Sequence, residues 1–271
     1  MRVRDFYDDH PITESQILSA VSERGRVGPL DADDLFDFDQ DHYGGVGAVD
    51  ALATRARIDA RSRVLDVCAG LAGPARFIAS RRGCRVLAVE LHAGRAAGAQ
   101  RLTALVRLGD RVRVVRGDAA RLPVRSGAFD ACISQEALLH IDDKRGVLAE
   151  CRRVLRVGGR LAFSDWIARP RLGDLERARL WDWMAATTLQ TPQSYRALLG
   201  AVGFAGIEAE DLTDDWRRIL RGRLEMYRGL HHAHVRRVGE HRYEKFLEVY
   251  SFFARLVEDG KLGGGRFTAT A

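Results

Sequence analysis

The chain has 271 residues, 46% hydrophobic and 30% charged, enough apolar side chains for one sizeable core and too many for a globally disordered chain. No charge-free run of about 18 apolar residues occurs, which excludes a membrane span, and the opening MRVRDFYDDHPITES is too polar for a signal peptide, so a cytoplasmic protein is expected. The net charge is +6, but 40 of the 43 basic residues are arginines scattered among acids, a pattern that reads as a solvated surface and not as a nucleic-acid stripe.

The first 50 residues are irregular, with an Asp-rich stretch at 31–41 (DADDLFDFDQD) leading into the glycine cluster of Tyr43-Gly44-Gly45-Val46-Gly47, and they form a candidate cap. A helix follows over 48–58. Strand and helix signals then alternate. Strands are expected at 63–67 (RVLDV), 84–90 (CRVLAVE), 112–116 (VRVVR), 129–134 (FDACIS) and, after a Gly158-Gly159 turn, 160–165 (RLAFSD). Helices are expected at 72–80, 93–106 and 143–154. That alternation predicts right-handed crossovers and an α/β fold with a parallel sheet covered on both faces. From 168 to about 200 the pattern is helical, 206–211 is a candidate sixth strand, and two long helices are expected over 214–237 and 241–259. Gly263-Gly264-Gly265 and a short strand-like end at 266–271 close the chain.

Cys68, Cys84, Cys132 and Cys151 show no CxxC spacing, so the expected state is free thiols with neither disulfides nor a zinc site. His231 and His234 would share a helix face, yet no third ligand is identifiable, and no metal is expected.

Ligands of an open parallel sheet bind beyond the carboxyl ends of its strands. The first strand exits through Asp66 into Cys68-Ala69-Gly70-Leu71-Ala72-Gly73, where Gly70 and Gly73 allow close backbone approach. Glu90 ends the second strand, 20 residues after Gly70, placed to accept both hydroxyls of a ribose. Asp118, after the third strand, is placed to accept from an adenine amino group, and Ser134-Gln135-Glu136 ends the fourth. NAD would require G-x-G-x-x-G, but Cys68 stands at its first glycine and Asp66 lies where an apolar residue is usual, which favours S-adenosylmethionine.

At this point VLDVCAGLAGPARF (64–77) resembles motif I of class I S-adenosylmethionine-dependent methyltransferases, with Cys68 and Ala72 each standing for a glycine. Glu90, Asp118 and LRVGGRLAFSD (155–165) match the later motifs in order. SQEALLHIDDK (134–144) and the upstream FDQDHYGGVGA (38–48) resemble the small-molecule branch: phosphoethanolamine, sarcosine/dimethylglycine and sterol methyltransferases.

The resemblance implies a Rossmann-like, mostly parallel seven-stranded sheet in the order 3-2-1-4-5-7-6, with the last strand antiparallel. Over it would lie residues 1–50 as a cap and a helical lid insertion at about 168–260 of a domain spanning 51–271. It implies S-adenosylmethionine as cofactor, S-adenosylhomocysteine as product, and a small-molecule acceptor, in a monomer or homodimer. The implied cofactor contacts are Tyr43, Asp66, Ala69, Gly70, Ala72, Glu90, Leu91, Asp118, Ala119 and Gln135. In phosphoethanolamine methyltransferases the histidine that His140 matches works with an upstream tyrosine. Here Tyr7 lies far upstream and Tyr43 close to the glycines, so no tyrosine is assigned.

Methyl transfer is an in-line displacement that needs a positioned acceptor and, for a protonated acceptor, a base. His140 is the candidate base, and Glu136, four residues earlier, would orient it or attract a cationic amine. Asp165, Trp166, Trp183 and Trp216 are candidate acceptor contacts, the aromatics suiting an alkylammonium. The expected acceptor is an amine nitrogen, with oxygen, sulfur or carbon (terpenoid or sterol) as alternatives. An NAD-dependent oxidoreductase and a non-catalytic adenosylmethionine-binding protein are the readings of a different class.

Overall fold

A computed structural model describes residues 3–8, 12–26 and 28–271, and of residues 3–5, 233, 234, 237 and 238 it describes the backbone only. Seven strands, β1 (Arg63–Val67), β2 (Arg85–Glu90), β3 (Val112–Arg116), β4 (Phe129–Gln135), β5 (Leu155–Ala168), β6 (Ala205–Asp211) and β7 (Leu262–Thr270), form one sheet in the order β3-β2-β1-β4-β5-β7-β6. The pairs from β3 through β5 are parallel, and β7 runs antiparallel to both β5 and β6. This is the expected Rossmann-like order.

Alternation along β1 shows how the sheet is covered. Val64 joins an apolar cluster on one face, built with α2 (Glu14–Glu23), α3 (Ala32–Leu35), α4 (Gly45–Arg55), α5 (Gly73–Arg82) and α6 (Ala93–Leu105). Leu65 and Val67 join the opposite cluster, with α7 (Lys144–Val154) and α9 (Pro192–Ala201). Burial on both faces is why these strands read as continuous apolar runs. A third cluster caps the carboxyl ends and gathers Tyr43 and Trp166 with α8 (Asp174–Met184), α10 (Thr213–Gly229) and α12 (Glu240–Glu258). The remaining helices are α1 (Val3–Asp8) and α11 (His231–Val238).

Three expectations are corrected. The two long C-terminal helices are three, because Gly229 is a poor helix interior residue and Gly239, at φ +83°, turns the chain between α11 and α12. β5 begins at Leu155, so Gly158, at φ +77°, lies within the strand rather than in a turn before it. Gly263, Gly264 and Gly265 also belong to a strand, β7: a Cβ at Gly264 would lie 2.4 Å from the Trp216 ring, so the glycines let α10 settle onto the sheet.

Candidate active site

The β1 exit loop is folded by three left-handed residues, Cys68 (φ 59°), Gly70 (φ 56°) and Ala72 (φ 58°), two of them without the freedom of glycine. A Cβ on Gly73 would fall 2.0 Å from the Asp39 carbonyl, so the DQDHYGG segment lies directly on the start of α5. The ion pair between Arg76 and Asp39, both fully buried at 2.9 Å, fastens it there, and Arg76 also donates to Thr103. Removing one partner of such a pair costs about 3–5 kcal/mol, because the other is left charged and dry.

Above this loop lies a cavity of about 320 Å³. Its wall includes eight of the ten expected cofactor contacts: Asp66, Ala69, Gly70, Glu90, Leu91, Asp118, Ala119 and Gln135. Ala72 is buried beneath it as the residue before α5, and Tyr43 lines the neighbouring spaces instead. Glu90 is nearly buried and accepts from the Gly70 N–H at 2.8 Å and the His92 N–H at 2.7 Å, which ties the second strand to the glycine loop. Asp118 accepts from the Ala120 N–H at 2.9 Å. Asp66 Oδ2 and both amide atoms of Gln135 are buried without a hydrogen-bond partner. An unsatisfied buried polar group costs about 1–3 kcal/mol, so their convergence on one cavity marks a place for a polar ligand. Burial, reinforced by the Glu90 carboxylate, pushes Asp66 up to about 8.

A smaller chamber of about 140 Å³ adjoins this cavity, and Tyr7, Asp41, His42, Glu136 and His140 line both. Tyr7 Oη lies 3.0 Å from His140 Nε2, and His140 Nδ1 lies 3.1 Å from the Ala185 carbonyl. A carbonyl only accepts, so Nδ1 carries the hydrogen and Nε2 accepts from the Tyr7 hydroxyl. The guanidinium of Arg95 sits 4.8 Å from the Tyr7 ring centroid and donates to Asp41 at 2.7 Å. Burial first, and the Asp41 carboxylate next, raise the Tyr7 phenol.

Glu136, at φ 49°, donates its own N–H to the Ser164 carbonyl and accepts the Tyr43 N–H at 2.6 Å. Burial pushes its carboxyl up to about 8 against the opposing pull of that N–H and of Arg223. Phe6, Trp166, Met184, Tyr250 and Phe253 supply apolar walls of the chamber, and Arg223 enters it from α10.

Not every expected contact reaches these spaces. Asp165 is fully buried and accepts the Tyr195 hydroxyl outside both cavities. Trp183 packs edge-on against Phe252 at 5.2 Å. Trp216 backs Tyr43 at 5.1 Å and Trp166 at 4.8 Å and faces a third cavity. Tyr7 corrects the reading that set it aside as too distant, since α1 brings it over the β4 exit. Arg95, Asp41 and Arg223 were not singled out: Asp41 is one of several acids in 31–41, and Arg95 and Arg223 are each one of the arginines of α6 and α10 respectively, with no motif of their own. His231 bonds Glu240 at 3.2 Å, the side chain of His234 lies outside the described residues, and among the described residues no three ligand-type side chains gather.

Residues 65–163 match a family model described as a methyltransferase domain. The demethylmenaquinone methyltransferase of Thermobifida fusca is 32% identical over 212 residues, 70% of this chain and 88% of that protein. The glycine/sarcosine/dimethylglycine N-methyltransferase of Actinopolyspora halophila is 31% identical over 166 residues, 61% of this chain and 29% of that protein. This chain spans 29%, 63% and 54% of the length of three curated relatives that it matches. Among solved structures, the Haemonchus contortus phosphoethanolamine N-methyltransferase 2 complex superposes over 100% of this chain and 60% of that one, with a TM-score of 0.82 at 20% identity, a likeness of fold. With the glycine loop, Glu90 and Asp118 arranged around one cavity, these matches show that the chain belongs to the class I S-adenosylmethionine-dependent methyltransferases.

Proposed function

We propose that this chain transfers a methyl group from S-adenosylmethionine to a small polar acceptor, a nitrogen of an amine, and releases S-adenosylhomocysteine. The observation that carries the reading is the Tyr7–His140 hydrogen bond at the junction of the two cavities.

The larger cavity fits the cofactor on its unpartnered groups. Asp66 Oδ2 offers an acceptor for an ammonium, and Gln135 offers both a donor and an acceptor to an amino-acid end. Each Glu90 oxygen keeps a lone pair for a ribose hydroxyl beyond its backbone bond. Gly70, Ala69, Leu91 and Ala119 give close approach and apolar cover. When bound, the sulfonium supplies an electrophilic methyl group.

The chain does the rest. The chamber walls exclude water and hold the acceptor toward the larger cavity. The aromatic rings attract a cationic amine, whose charge in turn favours the ionised form of Glu136. A proton leaving the acceptor passes to the Tyr7 oxygen as the Tyr7 proton passes to His140 Nε2, so the pair acts as the base. Residues 1–50 and the helices between about 168 and 260 serve as the cover. Seven carboxylates line the larger cavity, which suits a small molecule and repels a nucleic-acid backbone. The expected assembly is a monomer or a homodimer. The free thiols Cys68, Cys84, Cys132 and Cys151 fit the reducing cytoplasm.

The test is an acceptor screen that follows S-adenosylhomocysteine release. Turnover with small amines supports the reading, and turnover confined to hydroxyl, thiol or carbon acceptors overturns the nitrogen assignment.

A further inference from the structure

α10 presents Trp216, Leu220 and Leu224 to the interior, and Arg223 stands three residues after Leu220, within that same stripe where an apolar residue is expected. Three arginines of this helix meet acids: Arg217 meets Asp214 and Glu258, Arg218 meets Asp215, and Arg221 meets Glu258, while Arg228 is exposed in the last turn. Arg223 has no carboxylate within ion-pair distance among the described residues. Its head instead lies 4.6 Å from the Tyr43 ring centroid and donates from Nη1 to the Tyr250 hydroxyl at 3.2 Å, on the wall of the small chamber.

A guanidinium has five N–H donors in a planar fork that matches a carboxylate or phosphate. Here one donor is used, and two aromatic residues hold the fork in place without neutralising it. Of the acids of the chamber, Asp41 pairs with Arg95, and Glu136 accepts the Tyr43 N–H and acts on Arg223 only as a charge beyond ion-pair distance. Resting on the amine reading above, we propose that Arg223 is a specificity-determining residue that holds an anionic group of the acceptor. The acceptor is then a zwitterion, with its amine at the Tyr7, His140 and Glu136 end and a carboxylate or phosphate a few bonds away at Arg223. The chamber, about 140 Å³, has room for a compact molecule of this kind and little more.

The experiment compares two matched pairs, phosphoethanolamine with ethanolamine and glycine with glycinamide, in the wild type, Arg223→Met and Arg223→Lys. The expected result is that the wild type prefers one anion-bearing member by about 10² in kcat/KM. Arg223→Met should abolish the preference, mainly through KM, with S-adenosylhomocysteine affinity as in the wild type to show an intact fold. Arg223→Lys should restore part of it, and the pair that responds identifies the anion. Equal use of both members by the wild type, or a preference that survives in Arg223→Met, would overturn the proposal. Should no amine be methylated, calorimetry on the S-adenosylhomocysteine complex decides. Phosphoethanolamine or glycine binding lost in Arg223→Met would uphold the anchor and overturn the nitrogen reading; no binding to the wild type would overturn the anchor.

Discussion

Tyr7 and His140, 133 positions apart, are joined by a 3.0 Å hydrogen bond where the larger cavity meets the acceptor chamber. Neither side chain is placed for this by its own segment alone. α1 carries Tyr7 across the carboxyl edge of the sheet, and the single 3-10 turn Leu138–His140 offers His140 from below, held by the Ala185 carbonyl. If the two form one proton path, Tyr7→Phe and His140→Ala should each lower kcat by about 10² or more. The double variant should fall no further, because either change already breaks the path. Losses that multiply would show that the two act separately.

Glu90→Ala removes a ribose acceptor and also frees the Gly70 and His92 N–H groups. Cofactor affinity is expected to drop by well over tenfold, since two part-buried donors lose their partner besides the ligand contact. Calorimetry with S-adenosylhomocysteine checks this, and an unchanged affinity would place the ribose elsewhere.

The raised carboxyls make a pH prediction with a definite sign. Asp66 moves from 3.8 to about 8 and Glu136 from 4.5 to about 8, both chiefly through burial. Between those limits the native protein holds protons that the unfolded chain has lost, so stability of the unliganded protein should fall as pH rises through about 4 to 8. Asp66→Asn should flatten that fall in thermal melts. An ammonium beside Asp66 favours its ionised form, so cofactor binding near pH 7 should release protons. Calorimetry in buffers of different ionisation enthalpy reads that release, and its absence would separate Asp66 from the ligand.

Gly264 tests the packing of the cap. Its Cβ would meet the Trp216 ring at 2.4 Å, and the backbone of β7 is paired on both sides. Gly264→Ala should cost about 1–3 kcal/mol, which at this chain length lowers Tm by roughly 2–4 °C for each kcal/mol. An unshifted Tm would mean that α10 moves aside freely.

The contrast between Glu90 and Tyr7 shows what could be read in advance. Glu90 was legible because strand, glycine loop and acid follow one another locally, and parallel topology then carries all three to one edge. Tyr7 was not, because a six-residue helix has no periodicity of its own and its partner is chosen by tertiary packing. The same reason explains Gly263–Gly265, which stood before the strand-like end at 266–271 and join the strand because Trp216 and Thr213 are laid on them. It also explains Trp183 and Asp165: an aromatic at helical spacing and an acid at a strand end face a cavity or the core depending on neighbours such as Phe252 and Tyr195. Arg223 lay hidden among the many arginines, and its place on the chamber wall against Tyr43 and Tyr250 sets it apart from the paired Arg217, Arg218 and Arg221.

The central claim is methyl transfer to a nitrogen, and the fate of the methyl group tests it most directly. With S-adenosylmethionine carrying a deuterated methyl group and a mixture of small amines, fragment mass spectrometry should find the label on an acceptor nitrogen, formed by the wild type and strongly reduced in Tyr7→Phe. Label on carbon or oxygen, or no labelled product from protein saturated with cofactor and offered the full mixture, would contradict it.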